Sequence, residues 1–179
     1  KDVLNLAYLA EYYGLPQVSH YWKSVVEINE WQTHRVMECV LDAMFQTITG
    51  KRIAVFGFSF KANTGDTRES PAHILVRDLL EEHACPVISD PKSLPNAARD
   101  LKDVLDKVQF EQDPYKAAEG CHGIIVCTEW DCYAKLDWQQ IYNRMKKPAF
   151  VFDGRNVLNV KELRSIGFKV ACIGKRQEQ

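Results

Sequence analysis

From Lys51 onward the chain repeats one alternation: a short apolar run, a turn, a stretch of helical periodicity, then another short apolar run. The runs Lys51–Phe58, Pro86–Ser89, Val108–Glu111, Ile124–Thr128, Ala149–Phe152 and Phe168–Ile173 have strand length and are rich in β-branched and aromatic residues. Between them, Ser70-Pro71 is an N-cap and N1 pair opening a helix to about His83, and Asp113-Pro114 caps another that Gly120 ends. Ala97–Lys107, Asp137–Met145 and Val160–Ile166 complete the helical stretches. Strands alternating with helices at this pitch mean right-handed βαβ crossovers and a mostly parallel sheet. The expected fold is therefore α/β, a Rossmann-like doubly wound parallel sheet.

The first 50 residues follow a different period. Val3, Leu4, Leu6, Ala7, Leu9 and Ala10 recur with helical spacing until Gly14 and Pro16 stop the pattern. No Gly or Pro interrupts Gln17–Thr49. An apolar stripe through Tyr21, Val25, Ile28, Val36, Cys39 and Ala43 predicts one helix of roughly 50 Å. Its second edge, with Trp22, Trp31, Val40 and Met44, leaves open a core helix of a larger protein or a subunit contact. The helical pattern is already running at Lys1, with neither an initiating methionine nor a signal peptide, so we expect residues to precede it in a longer protein.

Composition narrows the partners. A net charge of −1 without a cluster of Lys and Arg among aromatics argues against nucleic acid and against an anionic membrane. Apolar runs of strand length do not span a bilayer. Of the six cysteines none forms a CxxC pair, no metal site is expected, and several lie inside apolar runs. Free buried thiols in a reducing, cytoplasmic setting follow. Cys121 and Cys127 near His122 lack the spacing that would orient a thiol nucleophile.

In an open α/β sheet the ligand sits outside the carboxyl ends of the strands, so the βα loops come next. The first one lacks G-x-G-x-x-G: Gly57 is followed by Phe58-Ser59-Phe60-Lys61. Asp90, where a ribose-binding acid would stand, then becomes a turn residue before Pro91, and NAD is not expected here in the usual Rossmann manner. In place of the fingerprint lies a long loop, Ser59–Glu69, with the cations Lys61 and Arg68 leading to the helix at Ser70. It is either a solvated surface loop or an anion site using those cations and free N–H groups at the helix start. Asp153-Gly154-Arg155 offers a second arginine fork at a strand end, and Trp130 either packs a base or sugar or lines the cleft.

Four segments, KDVLNL (1–6), GFSFKANTGDTRESPA (57–72), TEWD (128–131) and FDGRNVLN (152–159), occur in this order, and through them the chain resembles the UDP-glucose dehydrogenase family. The resemblance implies that residues 1–50 finish a central helical dimerisation region and residues 51–179 form a UDP-binding domain. An N-terminal NAD-binding domain would stand outside this chain. It further implies two NAD-linked oxidations of UDP-glucose to UDP-glucuronate through a cysteine thioester, the cysteine lying just before the segment matching Lys1-Asp2. Asp2 then matches the aspartate that helps activate water, and Lys1 a position beside NAD. Phe60, Lys61 and Arg155 match substrate-contacting positions, and Arg68 an arginine that reaches NAD. Ala62-Asn63 departs from the lysine and aspartate of many eukaryotic relatives. The partners so implied are UDP-glucose and a second copy of the chain, paired through the 17–49 helix. These 179 residues alone are expected to be inactive. The alternatives are the same chemistry on UDP-N-acetylmannosamine or GDP-mannose, and a nucleotide-binding module without catalysis.

Overall fold

A computed structural model describes residues 2–174, which pack as two units, divided between Arg35 and Val36. In the first unit α1 (Asp2–Tyr12) turns at Gly14, φ 73°, into α2 (Pro16–Ala43). Glu11 joins the two helices, accepting from Lys23 Nζ at 2.8 Å and from Ser19 Oγ at 3.3 Å. The apolar side chains Tyr21, Ile28 and Trp31 are exposed on α2, at 61%, 61% and 56%.

The helix expected to run to Thr49 ends at Ala43. Phe45 and Gln46 both take left-handed φ, 62° and 57°, and the Gln46 amide reaches back to the Leu41 carbonyl at 2.8 Å. That reversal has no glycine or proline to announce it. It lets Met44 and Ile48 enter the core of the second unit beside Met37 and Val40.

The second unit is a parallel six-stranded sheet in the order β3-β2-β1-β4-β5-β6. The strands are β1 (Arg52–Phe56), β2 (Cys85–Ser89), β3 (Gln109–Phe110), β4 (Gly123–Val126), β5 (Phe150–Asp153) and β6 (Lys169–Cys172). Period two assigns the faces. Ile53, Val55, Ile88 and Ile125 pack on one side with the end of α2, α3 (Pro71–Glu81) and α4 (Leu94–Asp100). Ala54, Phe56, Ile124 and Val126 pack on the other with α5 (Pro114–Ala117), α6 (Asp131–Ala134), α7 (Trp138–Arg144) and α8 (Val160–Ile166). Both faces are covered, so the central strands read as unbroken apolar runs. Each buried side chain such as Ile125 contributes about 1.5–3 kcal/mol of transfer free energy.

The helix expected over 97–107 starts earlier and stops sooner, as α4, with a single 3-10 turn at Leu105–Lys107. Pro95 fits the first turn, where its missing N–H has no partner to lose. The short α6 had no sequence signal. Among the described residues no helix is long and apolar enough to cross a membrane.

Candidate substrate site at the carboxyl ends of the strands

The strand order reverses between β1 and β4, which opens the crevice where α/β sheets hold ligands. Here the chain itself fills the crossing point. Gly57, at φ 90°, passes so close to Thr128 that an added Cβ would lie 2.4 Å from the Thr128 Cβ. Thr128 Oγ1 donates to the Ser59 carbonyl at 2.6 Å and holds the start of the long loop.

Asp90 is the second fixing point. Its Oδ2 accepts from the amides of Phe58 (2.8 Å) and Ser59 (3.1 Å), from Ser59 Oγ (3.1 Å) and from the Trp130 indole (3.2 Å). Its Oδ1 accepts from the amides of Lys92 and Ser93, both at 2.8 Å. Burial pushes this carboxyl up, but the four backbone N–H groups outweigh it and hold the acid below its ordinary value. Asp90 is therefore more than the turn residue the sequence suggested. Its oxygens are committed to the protein, so it does not fit the role of a ribose-binding acid. Trp130 is buried with its N–H donated to Asp90, an arrangement that fits the cleft-lining reading of that residue.

The loop from Ser59 to Glu69 is fastened along its length rather than loosely solvated. Phe60 N donates to the Asp66 carbonyl at 2.8 Å and closes the segment between them. Asn96 on α4 donates to the Gly65 carbonyl at 2.7 Å, and Thr67 hydrogen-bonds Asp100. The Ala62 amide reaches Glu129 Oε1 at 3.3 Å. Asn63 and Glu69 supply the left-handed turns, at φ 64° and 58°.

The helix start behind this loop is not an open anion site. Pro71 has no N–H, the Ser70 hydroxyl accepts from Ala72 N, and His73 N donates to the Ser70 carbonyl. Lys61 is exposed, Phe60 is 47% exposed, and Arg68 is spread over Asp66 with Nη2 to Oδ2 at 2.7 Å. Those Arg68 bonds pull the Asp66 carboxyl down to about 2.

Arg155 enters the same rim from the β5–α8 loop. Gly154 is required before it, because a Cβ there would lie 2.8 Å from the Val126 carbonyl. The Arg155 amide donates to Asp153 Oδ1 at 3.0 Å, and its Nε donates to the Cys127 carbonyl at 2.7 Å. Nη2 reaches the Phe60 carbonyl at 3.4 Å. Phe60, Lys61 and Arg155 thus share one rim, with Arg68 on the same loop. Asp2 is an exposed residue of the first turn of α1, in the first unit, and Lys1 lies outside the described residues.

Burial pushes the thiols of Cys121 and Cys127 up to about 11 and about 12, so neither is an activated nucleophile. Cys121 and His122 precede β4, at the amino end of the sheet. Sequence reasoning missed Glu129 and Asn96 as loop anchors and gave Asp90 too small a part. Their partners lie far along the chain, where spacing carries no signal.

The comparisons agree with this geometry. Residues 54–160 match the model of the UDP-glucose/GDP-mannose dehydrogenase family, UDP binding domain. UDP-glucose 6-dehydrogenase of Caenorhabditis elegans is 46% identical over 186 residues, covering 100% of this chain and 39% of that protein. The Drosophila melanogaster protein of the same name is 42% identical over 189 residues, covering 100% of this chain and 40% of its own length. This chain thus spans about two fifths of these curated relatives. The structure of a UDP-glucose dehydrogenase from the archaeon Pyrobaculum islandicum superposes with a TM-score of 0.72 at 26% identity, over 94% of this chain and 36% of that one. With a parallel sheet in Rossmann order, a fastened loop in place of the dinucleotide fingerprint and a family match across most of the second unit, this chain belongs to the UDP-glucose/GDP-mannose dehydrogenase family.

Proposed function

We propose that these residues form the C-terminal, UDP-binding part of an NAD-dependent dehydrogenase that oxidises UDP-glucose twice to UDP-glucuronate through a cysteine thioester. The observation that carries the reading is the convergence of Phe60, Lys61 and Arg155 on one rim at the switch point. Relatives named UDP-glucose 6-dehydrogenase support this sugar nucleotide over UDP-N-acetylmannosamine and GDP-mannose.

In this reading Lys61 bonds the sugar hydroxyls or the forming carboxylate, where a compact ammonium has three donors to give. Arg155, fixed along its Nε edge, offers the rest of its fork to a part of the substrate that does not react. Phe60 covers apolar substrate surface. Asp2 helps activate the hydrolytic water, and its place in the first turn of α1 suits a negative charge. NAD accepts the hydrides in such enzymes, but the second unit does not fit it: the glycine fingerprint is missing and Asp90 is saturated. We assign the bulk of the NAD site and the cysteine to residues outside this chain, leaving Arg68 and Lys1 as contacts with the dinucleotide. The exposed α2 face pairs with a second copy.

Calorimetry with this chain tests the reading. UDP-glucose should bind in the high micromolar to millimolar range, about 4–6 kcal/mol, and NAD more weakly. Tighter binding of NAD than of UDP-glucose refutes it.

A further inference from the structure

Glu129 stands between the two loops that carry the substrate contacts, and nothing about its position in the sequence announces the link. Its Oε1 accepts the Ala62 amide of the β1–α3 loop at 3.3 Å. Its Oε2 lies 3.4 Å from Arg155 Nε on the β5–α8 loop. That oxygen is buried and has no hydrogen bond of regular geometry, so the Arg155 charge is what compensates it. Arg155 in turn touches the Phe60 carbonyl, which closes a ring: loop, Glu129, Arg155, loop. The Nε hydrogen goes to the Cys127 carbonyl and Nη2 to the Phe60 carbonyl, so Glu129 faces the guanidinium as a charge, and none of these contacts involves Nη1.

We propose that Glu129 is a positioning residue for UDP-sugar binding: it fixes the Arg155 fork and the Phe60–Lys61 segment in one preformed arrangement before the ligand arrives. The inference rests on the reading of this rim as the UDP-sugar site. Three features distinguish it from a surface ion pair. The carboxylate bridges two separate loops, one of its contacts is to backbone, and its far oxygen is out of water. A carboxylate held this way reduces the ordering that binding would otherwise have to impose on two loops and a long side chain. Arginine is needed opposite it because a planar fork can spend one edge on the protein and present the other to a ligand, which an ammonium cannot.

The test is UDP-glucose titration calorimetry on this chain, with a thermal melt beside each variant. Glu129→Gln keeps an acceptor for Ala62 N–H and the volume, but removes the charge facing Arg155. It should weaken UDP-glucose binding about five- to twentyfold while leaving the melt nearly unchanged. Arg155→Ala should weaken binding as well, and adding Glu129→Gln to it should cause little further loss, since Glu129 acts through Arg155. Arg155→Lys keeps the positive charge without the Nε edge that the Cys127 carbonyl binds and Glu129 faces, and should bind as poorly as Arg155→Ala. Wild-type affinity in Glu129→Gln or in Arg155→Lys overturns the proposal alone. So does an equal loss from Glu129→Gln with and without Arg155. Absence of UDP-glucose binding by the unaltered chain at millimolar concentration overturns the reading beneath it and takes the proposal with it.

Discussion

Asp90 accepts the indole N–H of Trp130 at 3.2 Å from 40 residues away, and the same carboxylate gathers four backbone amides from the ends of two strands. This makes it the knot that holds the β1–α3 loop above the switch point. Asp90→Asn turns an NH2 toward donors that need an acceptor. It should cost about 2–6 kcal/mol, since the two amides facing the new NH2 each lose about 1–3 kcal/mol of compensation. Trp130→Phe keeps most of the packing and should cost about 1.5–3 kcal/mol, the range for a hydrogen bond to a charged group. Urea midpoints measure both, and a midpoint unchanged in Asp90→Asn would contradict the role.

The same carboxylate sets a pH dependence. Its folded-state value lies below the ordinary carboxylate value, so its stabilisation is present in full above that ordinary value. It is lost as pH falls through the lower, folded value. Wild type should therefore lose urea resistance from about pH 5 downward more steeply than Asp90→Asn does. Parallel slopes for the two proteins would assign the acid sensitivity to other groups.

Purified as these 179 residues, the chain should form no NADH from UDP-glucose and NAD. The physical grounds lie in the second unit: Asp90 is saturated, the glycine fingerprint is missing, and the thiols of Cys121 and Cys127 are held in their neutral form. An absorbance increase at the NADH band, dependent on enzyme concentration, would refute this.

How much of this was legible depended on how local each signal is. The α8 helix sits where expected, Val160–Ile166, because Asn159 caps its start and Gly167, at φ 117°, ends it. The start of α3 at Pro71 is as legible, since the Ser70-Pro71 pair satisfies the first turn by itself. The end of α2 was not legible, because Phe45 and Gln46 adopt left-handed backbone without a glycine, favoured by the burial of Met44 and Ile48. Site residues divide the same way. Lys61 and Arg155 were legible as cations in loops at strand ends, and the motif resemblance added their substrate roles. The bonds from Ala62 to Glu129 and from Arg155 to Phe60 span 67 and 95 residues and exist only once the sheet has formed.

The exposed Ile28 and Trp31 on α2 make self-association testable. A two-fold contact would cover the same face of both copies, and leaving it open would expose a large apolar patch. Sedimentation at tens of micromolar should show a dimer, and Ile28→Glu with Trp31→Glu should give a monomer of unchanged helicity. A monomeric wild type would remove α2 from the interface.

Lys61 decides whether the fastened loop serves the substrate or only the fold. It is exposed, whereas the loop is secured through backbone groups and through Thr67, Asn96, Glu129 and Arg155. Lys61→Ala should therefore change stability by no more than about 0.5 kcal/mol. If the ammonium pairs with sugar oxygens in a site that dries on closure, its charge-assisted hydrogen bond contributes about 1.5–3 kcal/mol. In an enzyme containing this chain and its NAD domain, Lys61→Ala should then lower kcat/KM by about ten- to a few-hundred-fold. Lys61→Arg should not restore it, because a planar fork does not replace a compact ammonium in a tight site. Arg155→Ala should act mainly on KM if it holds a part of the substrate that does not react. Steady-state kinetics beside a thermal melt separates these cases. Full kcat/KM in Lys61→Ala would make the loop a structural element, with the substrate gripped elsewhere on the rim.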